Sequence, residues 1–287
     1  MATMRDIKRR KGSVQSTQQI TKAMKLVSTV KLQRTRAAAE RSKSYFEYMH
    51  DTVNSILSRV GVTEHRYLKP GQSSKKAVLV ITSNRGLAGG YNSNIIKLVC
   101  GQNDWPKEEV TIYAVGNKGR EALARNGYEI VQDWSHVVEQ PVYADARNIA
   151  DVLLKAYESD EVGEIYLAYT KFVNTVNHVP TLIKLLPAEV SGVEAEGEKS
   201  ASAVMNFEME DEQALELIIP KYMASMIYGG LVEASASENG ARMQAMDNAT
   251  SNAEEMISDL TLKYNRARQS SITQELTEII AGAEAIS

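Results

Sequence analysis

Proline is absent from two long segments, one at each end of the chain, and no other feature constrains the fold as strongly. The first segment runs from about Met4 to about Val60, and the second follows Pro220. Because proline interrupts helices, each segment can hold one very long helix. At 1.5 Å per residue such a helix would be roughly 80 to 100 Å long, which exceeds the helices of ordinary globular domains. The sequence therefore predicts a coiled coil or a helical hairpin.

Apolar residues recur in steps of three and four along both segments, as in amphipathic helices. The stripe predicted for the first segment comprises Ile20, Met24 (or Ala23), Val27 and Val30, followed by Phe46, Met49, Val53, Ile56 and Val60. The stripe predicted for the second comprises Met246, Ala249, Ala253, Met256 (or Ile257), Leu260, Tyr264, Ala267 and Ser271. With a compact region between the two helices, we expect each stripe to be buried only against the other, so that the helices pair antiparallel.

The region between these helices alternates between short β-branched runs and helical patterns. The predicted strands are Ala77–Thr82, Val110–Val115, Tyr128–Val131, Ile165–Phe172 and Pro180–Leu186. The predicted helices are Ser93–Val99, Lys118–Arg125 and Ala144–Tyr157. This repetition indicates a Rossmann-like α/β domain with a mostly parallel sheet.

The expected fold class is therefore α/β plus long helices: an antiparallel two-helix coiled coil formed by both termini, with the α/β domain inserted in it. The expected domains are an N-terminal coiled-coil helix at 1–70, the α/β domain at 71–210 and a C-terminal coiled-coil helix at 211–287. We expect Ser191–Ala203, which is rich in Glu, Gly and Ser, to form an exposed loop or hairpin tip.

Charge is distributed unevenly, although the formal net charge is only −3. Between Arg5 and Lys43 twelve basic residues face two acidic ones, a net charge of +10, whereas Glu189–Glu216 is mostly acidic. A basic helix suggests an anionic partner, which could be nucleic acid, a lipid surface or an acidic protein. The sequence contains no apolar run long enough to span a membrane, and its first residues lack the apolar core of a secretory signal.

No residue pattern indicates a reaction centre, a metal site or a cofactor site. The four histidines lie apart from one another, and Cys100 is the only cysteine, which we expect to be buried. The run RGLAGGYNSN follows a strand and opens a helix, where a phosphate-binding turn would lie, but it matches neither phosphate-binding glycine motif. Two alternatives stay open at this point: a basic coiled-coil protein that binds nucleic acid, and a small nucleotide-dependent enzyme that uses Gly89 and Gly90.

Three segments of the chain resemble the gamma subunits of F-type ATP synthases. They are IKRRKGSVQSTQQITKAMKLVSTVKLQR near the start, ITSNRGLAGGYNSNI in the middle and, near the end, a stretch that contains ITQELTEIIAGAEA. The resemblance implies the central rotor shaft of a proton-translocating ATP synthase, which couples rotation of the membrane ring to ATP synthesis or hydrolysis at the beta subunits. It also implies that this chain has no catalytic residue and no cofactor.

The implied partners are the alpha and beta subunits of the catalytic hexamer, the epsilon subunit and the ring of c subunits, and not nucleic acid. Lys22, Met24 and Lys25 match positions that meet the acidic lever loops of the beta subunits. Arg268 and Gln269 match residues that contact a catch loop at the collar of the hexamer. The full set of implied contact residues is Lys22, Met24, Lys25, Arg266, Arg268, Gln269, Thr273 and Glu275.

The sequence differs from some members of the resembled family in ways that affect regulation and location. The inserted segment and regulatory cysteine pair of chloroplast gamma subunits are missing, so that kind of thiol control is not expected. Ala88 stands where many relatives carry a cysteine. Ala88 is a harmless small-residue change. Sequence complexity and the absent presequence favour a bacterial protein held peripherally at the cytoplasmic face of the plasma membrane.

Overall fold

A computed structural model describes residues 3–60, 65–188 and 211–284, and within these ranges it leaves out the side chains of 41–47, 49–52, 54–60, 211–214 and 284. The predicted loop Ser191–Ala203 and most of the acidic run that begins at Glu189 lie outside the described residues. Several positions of the first predicted stripe also have side chains outside the described part, namely Phe46, Met49, Ile56 and Val60.

Two long helices account for most of the terminal segments. Helix α1 spans Met4–Val60, 57 residues, and is about 85 Å long. Thr3 and Asp6 fix its start through a reciprocal cap: the Thr3 hydroxyl accepts from the Asp6 N–H, and the Asp6 carboxylate accepts from the Thr3 N–H. The hydroxyl of Thr3 also donates to that carboxylate, and this bond holds the pKa of Asp6 below its usual value. Helix α5 spans Asp211–Glu284, 74 residues, with Pro220 inside it.

A five-stranded sheet lies between the long helices in the chain. Its strands are β1 (Lys76–Ile81), β2 (Val110–Val115), β3 (Glu129–Asp133), β4 (Glu164–Phe172) and β5 (His178–Leu186). The strand order is β3-β2-β1-β4-β5; the first four strands are parallel, and β5 is antiparallel to β4. The helices are α2 (Tyr91–Cys100), α3 (Asn117–Arg125) and α4 (Tyr143–Glu158), with single 3₁₀ turns at Lys107–Glu109 and Ser135–Val137. The predicted mostly parallel, Rossmann-like domain is confirmed.

Both faces of the sheet are covered by helices, which explains why its central strands read as continuous apolar runs. Val78 and Val80 of β1 pack against α2 and α3 on one face. Leu79 and Ile81 pack on the other face, with α4 and part of α5. The described domain therefore has three layers, with β1 at its centre.

Helix α5 packs on this sheet before it pairs with α1, which the sequence analysis did not anticipate. Its residues from Leu215 to Ala234 join the core that contains β1, β4 and α4. Gly230 lies so close to β4 that an added methyl group would stand 3.1 Å from Leu167 Cδ2. The expectation that the second long helix buries its apolar residues only against the first was therefore wrong, because the first part of α5 is a layer of the α/β domain.

The chain divides into two compact units: Val30–Ala241, which contains the sheet, and Met1–Thr29 with Arg242–Ser287. In the second of these, α1 and α5 pair antiparallel: Gln18 bonds Glu254, Thr21 bonds Thr250 and Lys25 bonds Asp247. The two residue numbers in each pair sum to about 272, so the pair keeps one register. The predicted antiparallel coiled coil is confirmed.

The contact seam of α1 differs from the predicted stripe. The half-buried or buried positions follow alternating steps of four and three: Ile7, Lys11, Val14, Gln18, Thr21, Lys25 and Ser28. Ile20 and Val27, which we expected in the seam, are 57% and 58% exposed. The matching seam of α5 was largely predicted: Met246, Thr250, Ala253, Ile257, Leu260, Tyr264, Ala267 and Ser271.

Cys100 is exposed, so the expectation of a buried thiol was wrong. It is the last residue of α2, and the buried face of that helix is formed by Tyr91, Ile95 and Val99. Because Cys100 follows Val99 directly, it points about 100° away from that buried face.

Candidate partner-binding surface

The compact unit formed by Met1–Thr29 and Arg242–Ser287 carries all eight residues that the sequence analysis assigned to partner contacts. Lys22 is exposed on α1, Met24 is half-buried beside the seam and Lys25 is half-buried in the seam itself. On α5, the exposed residues of the set are Arg266, Arg268, Gln269, Thr273 and Glu275.

Lys25 is already engaged within the chain. Its ammonium lies 2.6 Å from the carboxylate of Asp247 across the seam, and both side chains keep substantial contact with solvent. An ion pair of this kind contributes little stability, about 0 to 1 kcal/mol, so it can exchange partners at small cost. Glu275 is also engaged, because its carboxylate accepts a hydrogen bond from the Ser271 hydroxyl.

The register of the pair brings together two basic groups that are far apart in the sequence. Since paired residue numbers sum to about 272, the start of α1 at Met4 lies level with Arg268 of α5. The basic run from Arg5 to Lys11 therefore stands at the same height as Arg266 and Arg268. The sequence analysis treated these groups separately, and the structure combines them in one positively charged zone at this end of the pair.

An exposed apolar surface on α1 is the feature that sequence reasoning misplaced. Ile20, Leu26 and Val27 are 57%, 65% and 58% exposed, on the side of α1 that does not face α5. The signal for this surface was present, since polar or small residues recur in steps of four and three at Gln18, Thr21, Lys25 and Ser28. That second periodicity marks the seam, and the apolar stripe lies outside it.

The glycine-rich turn after β1 uses its polar groups internally. Asn92 accepts a hydrogen bond from the Ser83 N–H at 2.9 Å, and the Asn84 amide donates to the Ser135 carbonyl at 2.7 Å. The Asn84 side-chain oxygen also accepts from the Asn117 N–H at 3.1 Å. These side chains fasten the turn to α2 and to the next loops, which is the ordinary structural use of such a turn.

Within the described ranges, no group of three or more His, Cys, Asp or Glu side chains is placed to hold a metal ion. No helix of the described chain is both long enough and apolar enough to cross a membrane.

Comparison with known proteins identifies the family. A family model described as ATP synthase matches residues 3–286. The chain is 65% identical, over the full length of both sequences, to the ATP synthase gamma chain of Lachnoclostridium phytofermentans. The chain belongs to the ATP synthase gamma chain family. It is also 39% identical to a gamma chain of Acetobacterium woodii that is named as sodium ion specific, across 99% of this chain and 98% of the relative.

Solved structures of mitochondrial ATP synthases contain chains with the same fold. A chain of the Euglena gracilis mitochondrial ATP synthase matches with a TM-score of 0.70 and 19% identity, covering 99% of this chain and 94% of the other. A chain from the central stalk and c-ring structure of the Tetrahymena thermophila mitochondrial enzyme matches with a TM-score of 0.59 and 23% identity, covering 80% and 99%. The family match supports the role of a central stalk subunit, and the nucleic-acid-binding alternative receives no support from these relatives.

Proposed function

We propose that this chain is the central rotor shaft of an F-type ATP synthase. It couples rotation of a membrane ring of c subunits to ATP synthesis or hydrolysis at the beta subunits, and it supplies no catalytic residue itself. The observation that carries this proposal is the 65% identity, over both full lengths, to an ATP synthase gamma chain. The long antiparallel helix pair provides the shaft that this role requires.

A shaft can change three equivalent catalytic sites in turn only if it presents a different surface to each of them, because a partner that binds all conformations equally shifts none. The paired part of α1 meets this requirement. Its exposed apolar side contains Ile20, Leu26 and Val27, while basic residues such as Lys22 lie beside it. As the pair turns, each beta subunit meets first one surface and then the other.

The proposed contacts with the hexamer lie at two heights of the pair. The lower group, farther from the end of the pair at which α1 begins, comprises Lys22, Met24 and Lys25, and to it we add the apolar residues Ile20 and Val27. The upper group is the positively charged zone around Arg266 and Arg268. It continues along α5 through the remaining predicted contacts, Gln269, Thr273 and Glu275. Exposed and partly hydrated charges suit a turning shaft, since each contact can be exchanged at a low desolvation cost.

We infer that the α/β domain lies toward the membrane, beside the epsilon subunit and the c ring, and that the assembly is held peripherally at the cytoplasmic face of the plasma membrane. The coupling ion is selected by the membrane ring and not by this chain. Relatives of this chain include a gamma chain named as sodium ion specific, which fits a shaft that serves either ion.

Reconstitution tests the proposal directly. We expect this chain, mixed with alpha and beta subunits from the same source, to form a complex that contains one copy of the chain and hydrolyses ATP rapidly. The double variant Arg268→Glu with Gln269→Leu should assemble about tenfold more weakly, as expected for the loss of one charge-assisted contact of roughly 1.5 kcal/mol. Nucleotide affinity of the beta subunits should not change.

A matched control applies the same two changes in the α/β domain. Lys97→Glu with Asn94→Leu reverses one charge and adds one leucine at exposed positions of α2, and it should leave assembly with alpha and beta subunits unchanged. If folded alpha and beta subunits fail to bind this chain, the shaft proposal is wrong. If both double variants weaken assembly equally, the contacts assigned to Arg268 and Gln269 are wrong.

A further inference from the structure

The turn that joins β4 and β5 is held by a ring contact and by side-chain hydrogen bonds. Phe172 and His178 form the last pair of the ladder, and their rings lie 5.8 Å apart between centroids. Within the turn, the Asn174 side-chain oxygen accepts hydrogen bonds from the Val176 N–H at 2.9 Å and the Asn177 N–H at 2.7 Å. Such a turn holds the two strand ends in one geometry.

One face of α5 contacts this hairpin over two helical turns. The carboxylate of Glu233 accepts a hydrogen bond from the Phe172 N–H at 3.3 Å, and the Ser237 hydroxyl donates to the Thr170 carbonyl at 3.1 Å. Gly240 follows at the next position of the same face, since steps of four and three keep residues on one side of a helix. Gly240 is also close to Arg242, where α5 passes into the other compact unit.

Gly240 is required for space and not for backbone freedom. A methyl group at this position would lie 2.6 Å from Cε1 and 3.0 Å from Nε2 of His178. The backbone of Gly240 is ordinary helix, in which alanine is intrinsically better than glycine by about 1 kcal/mol. The imidazole of His178 therefore occupies the place that any other side chain at 240 would need.

The imidazole is held in an environment that favours its neutral form. Both ring nitrogens are buried and have no hydrogen-bond partner among the described residues. Burial lowers the pKa of His178, and the nearby Thr175 carbonyl opposes this effect only in part. The ionisable side chains nearest in sequence to the contact are Lys171, within 170–172 of β4, and Glu233, Glu238 and Arg242, within 233–242 of α5; Glu233 already accepts from the Phe172 N–H.

We propose that the β4–β5 hairpin is a clamp on α5, in which the neutral ring of His178 seats on Gly240 and holds the shaft helix where it leaves the α/β domain. His178 and Gly240 are thus positioning residues for rotary coupling. The clamp resists bending and twisting of α5 at this point, so that force applied at the α/β domain reaches the paired part of the shaft. Protonation of His178 places a charge in a buried contact where the Thr175 carbonyl offsets the cost of burial only in part, and this opens the clamp.

A double-mutant cycle on the full chain tests the contact itself. We expect Gly240→Ala to accelerate hydrogen exchange of the α5 amides near 236–244 by roughly tenfold, because the methyl group overpacks the site. In a His178→Ala background the same change should instead slow exchange, since alanine then only improves the helix. Gly12→Ala is the matched control: no atom lies within 4 Å of that added methyl group, and exchange near 236–244 should not change.

The pH dependence separates a clamp from simple packing. When the pH falls from 7 to 5, hydrogen exchange of the amides near 236–244, corrected for its intrinsic pH dependence, should accelerate in the natural chain. It should not accelerate in His178→Phe, which has an aromatic ring that cannot be protonated. In the complete enzyme, the ratio of ion pumping to ATP hydrolysis should fall in Gly240→Ala and also in His178→Ala, because either change removes the contact. Additive effects in the cycle, or the same pH dependence in His178→Phe, would overturn the proposal.

Discussion

At the scale of single residues, two tyrosines secure the segment that leads into the α/β domain. The Tyr67 hydroxyl donates to the Glu158 carboxylate, and the Arg66 guanidinium lies 3.3 Å from the same carboxylate and 4.8 Å from the centroid of the Tyr67 ring. The Tyr157 hydroxyl donates to the Lys69 carbonyl at 2.5 Å. Burial raises the pKa of Tyr67 to about 12, with a further contribution from Glu158, and burial also raises the pKa of Tyr157 to about 12.

These raised pKa values predict a loss of stability at alkaline pH. Above pH 10 the unfolded tyrosines release their protons while the folded ones keep them, so stability falls between about pH 10 and pH 12. Tyr67→Phe should cost about 1 to 2 kcal/mol at pH 8, and this difference should shrink as the pH passes 10. Denaturant unfolding followed by the fluorescence of Trp105 and Trp134 measures it, because both tryptophans lie in the α/β domain. Tyr143→Phe is the control, and equal behaviour of the two variants would contradict the prediction.

At the scale of elements, the strands and short helices of the α/β domain could be predicted from the sequence, whereas the α1 seam could not. The central strands β1 and β2 are buried on both faces, so their β-branched runs are distinctive. Predicted and observed strand bounds differ by only a few residues, as between Pro180 and His178 at the start of β5. For α1, the sequence analysis predicted that the most apolar stripe packs against α5. The actual seam uses Thr21 and Ser28, whose small side chains permit close approach, and whose hydroxyls leave no hydrophobic signal.

The site residues show the same limit. Lys22 and Arg268 could be named by resemblance, but the closeness of Arg268 to the basic start of α1 follows only from the register of the pair. His178 and Gly240, which are in contact, lie 62 positions apart in the sequence. No local pattern marks such a contact, because it depends on how α5 lies across the hairpin.

The Thr21–Thr250 pair provides a test of the seam. The two hydroxyls lie 2.8 Å apart and are buried, and Thr250 also donates to the Met246 carbonyl. Replacing either threonine alone with valine should cost about 1 kcal/mol, because the other hydroxyl loses a buried partner. Replacing both should be nearly neutral, since valine has the same shape. Protection of the amides at 18–25 and 246–254 against hydrogen exchange measures the effect.

The control for these single and double replacements uses two threonines that lie outside the seam and do not bond each other. Thr17 and Thr277 are exposed, and each hydroxyl bonds a carbonyl of its own helix. Valine at these two positions should give small and additive effects. Additive effects at Thr21 and Thr250 as well would show that their hydroxyls do not couple the two helices.

At the scale of the whole molecule, the end of α5 extends beyond its partner helix. The register places Met4, where α1 begins, level with Arg268, whereas α5 continues to Glu284. In the part of α5 that follows Arg268, four large apolar residues are exposed: Ile272, Leu276, Ile279 and Ile280. Their spacings of four, three and one place them on one side of the helix. A single helix of this length is marginal in water without packing.

The shaft role therefore predicts that this end of α5 becomes stable only in the assembly. In the isolated chain, amides from Ile272 to Gly282 should exchange nearly as fast as in an unfolded peptide, whereas those near Leu260 in the seam should be protected. Binding to the alpha and beta hexamer should protect the end of α5 by roughly tenfold or more, because its apolar stripe enters the hexamer and is removed from water. Leu276→Ala should reduce that protection, whereas Gln274→Ala, which changes an exposed polar residue between Ile272 and Leu276, should not. Strong protection in the isolated chain, or none gained on assembly, would mean that the end of α5 is not seated in the hexamer and that the shaft acts through its lower contacts alone.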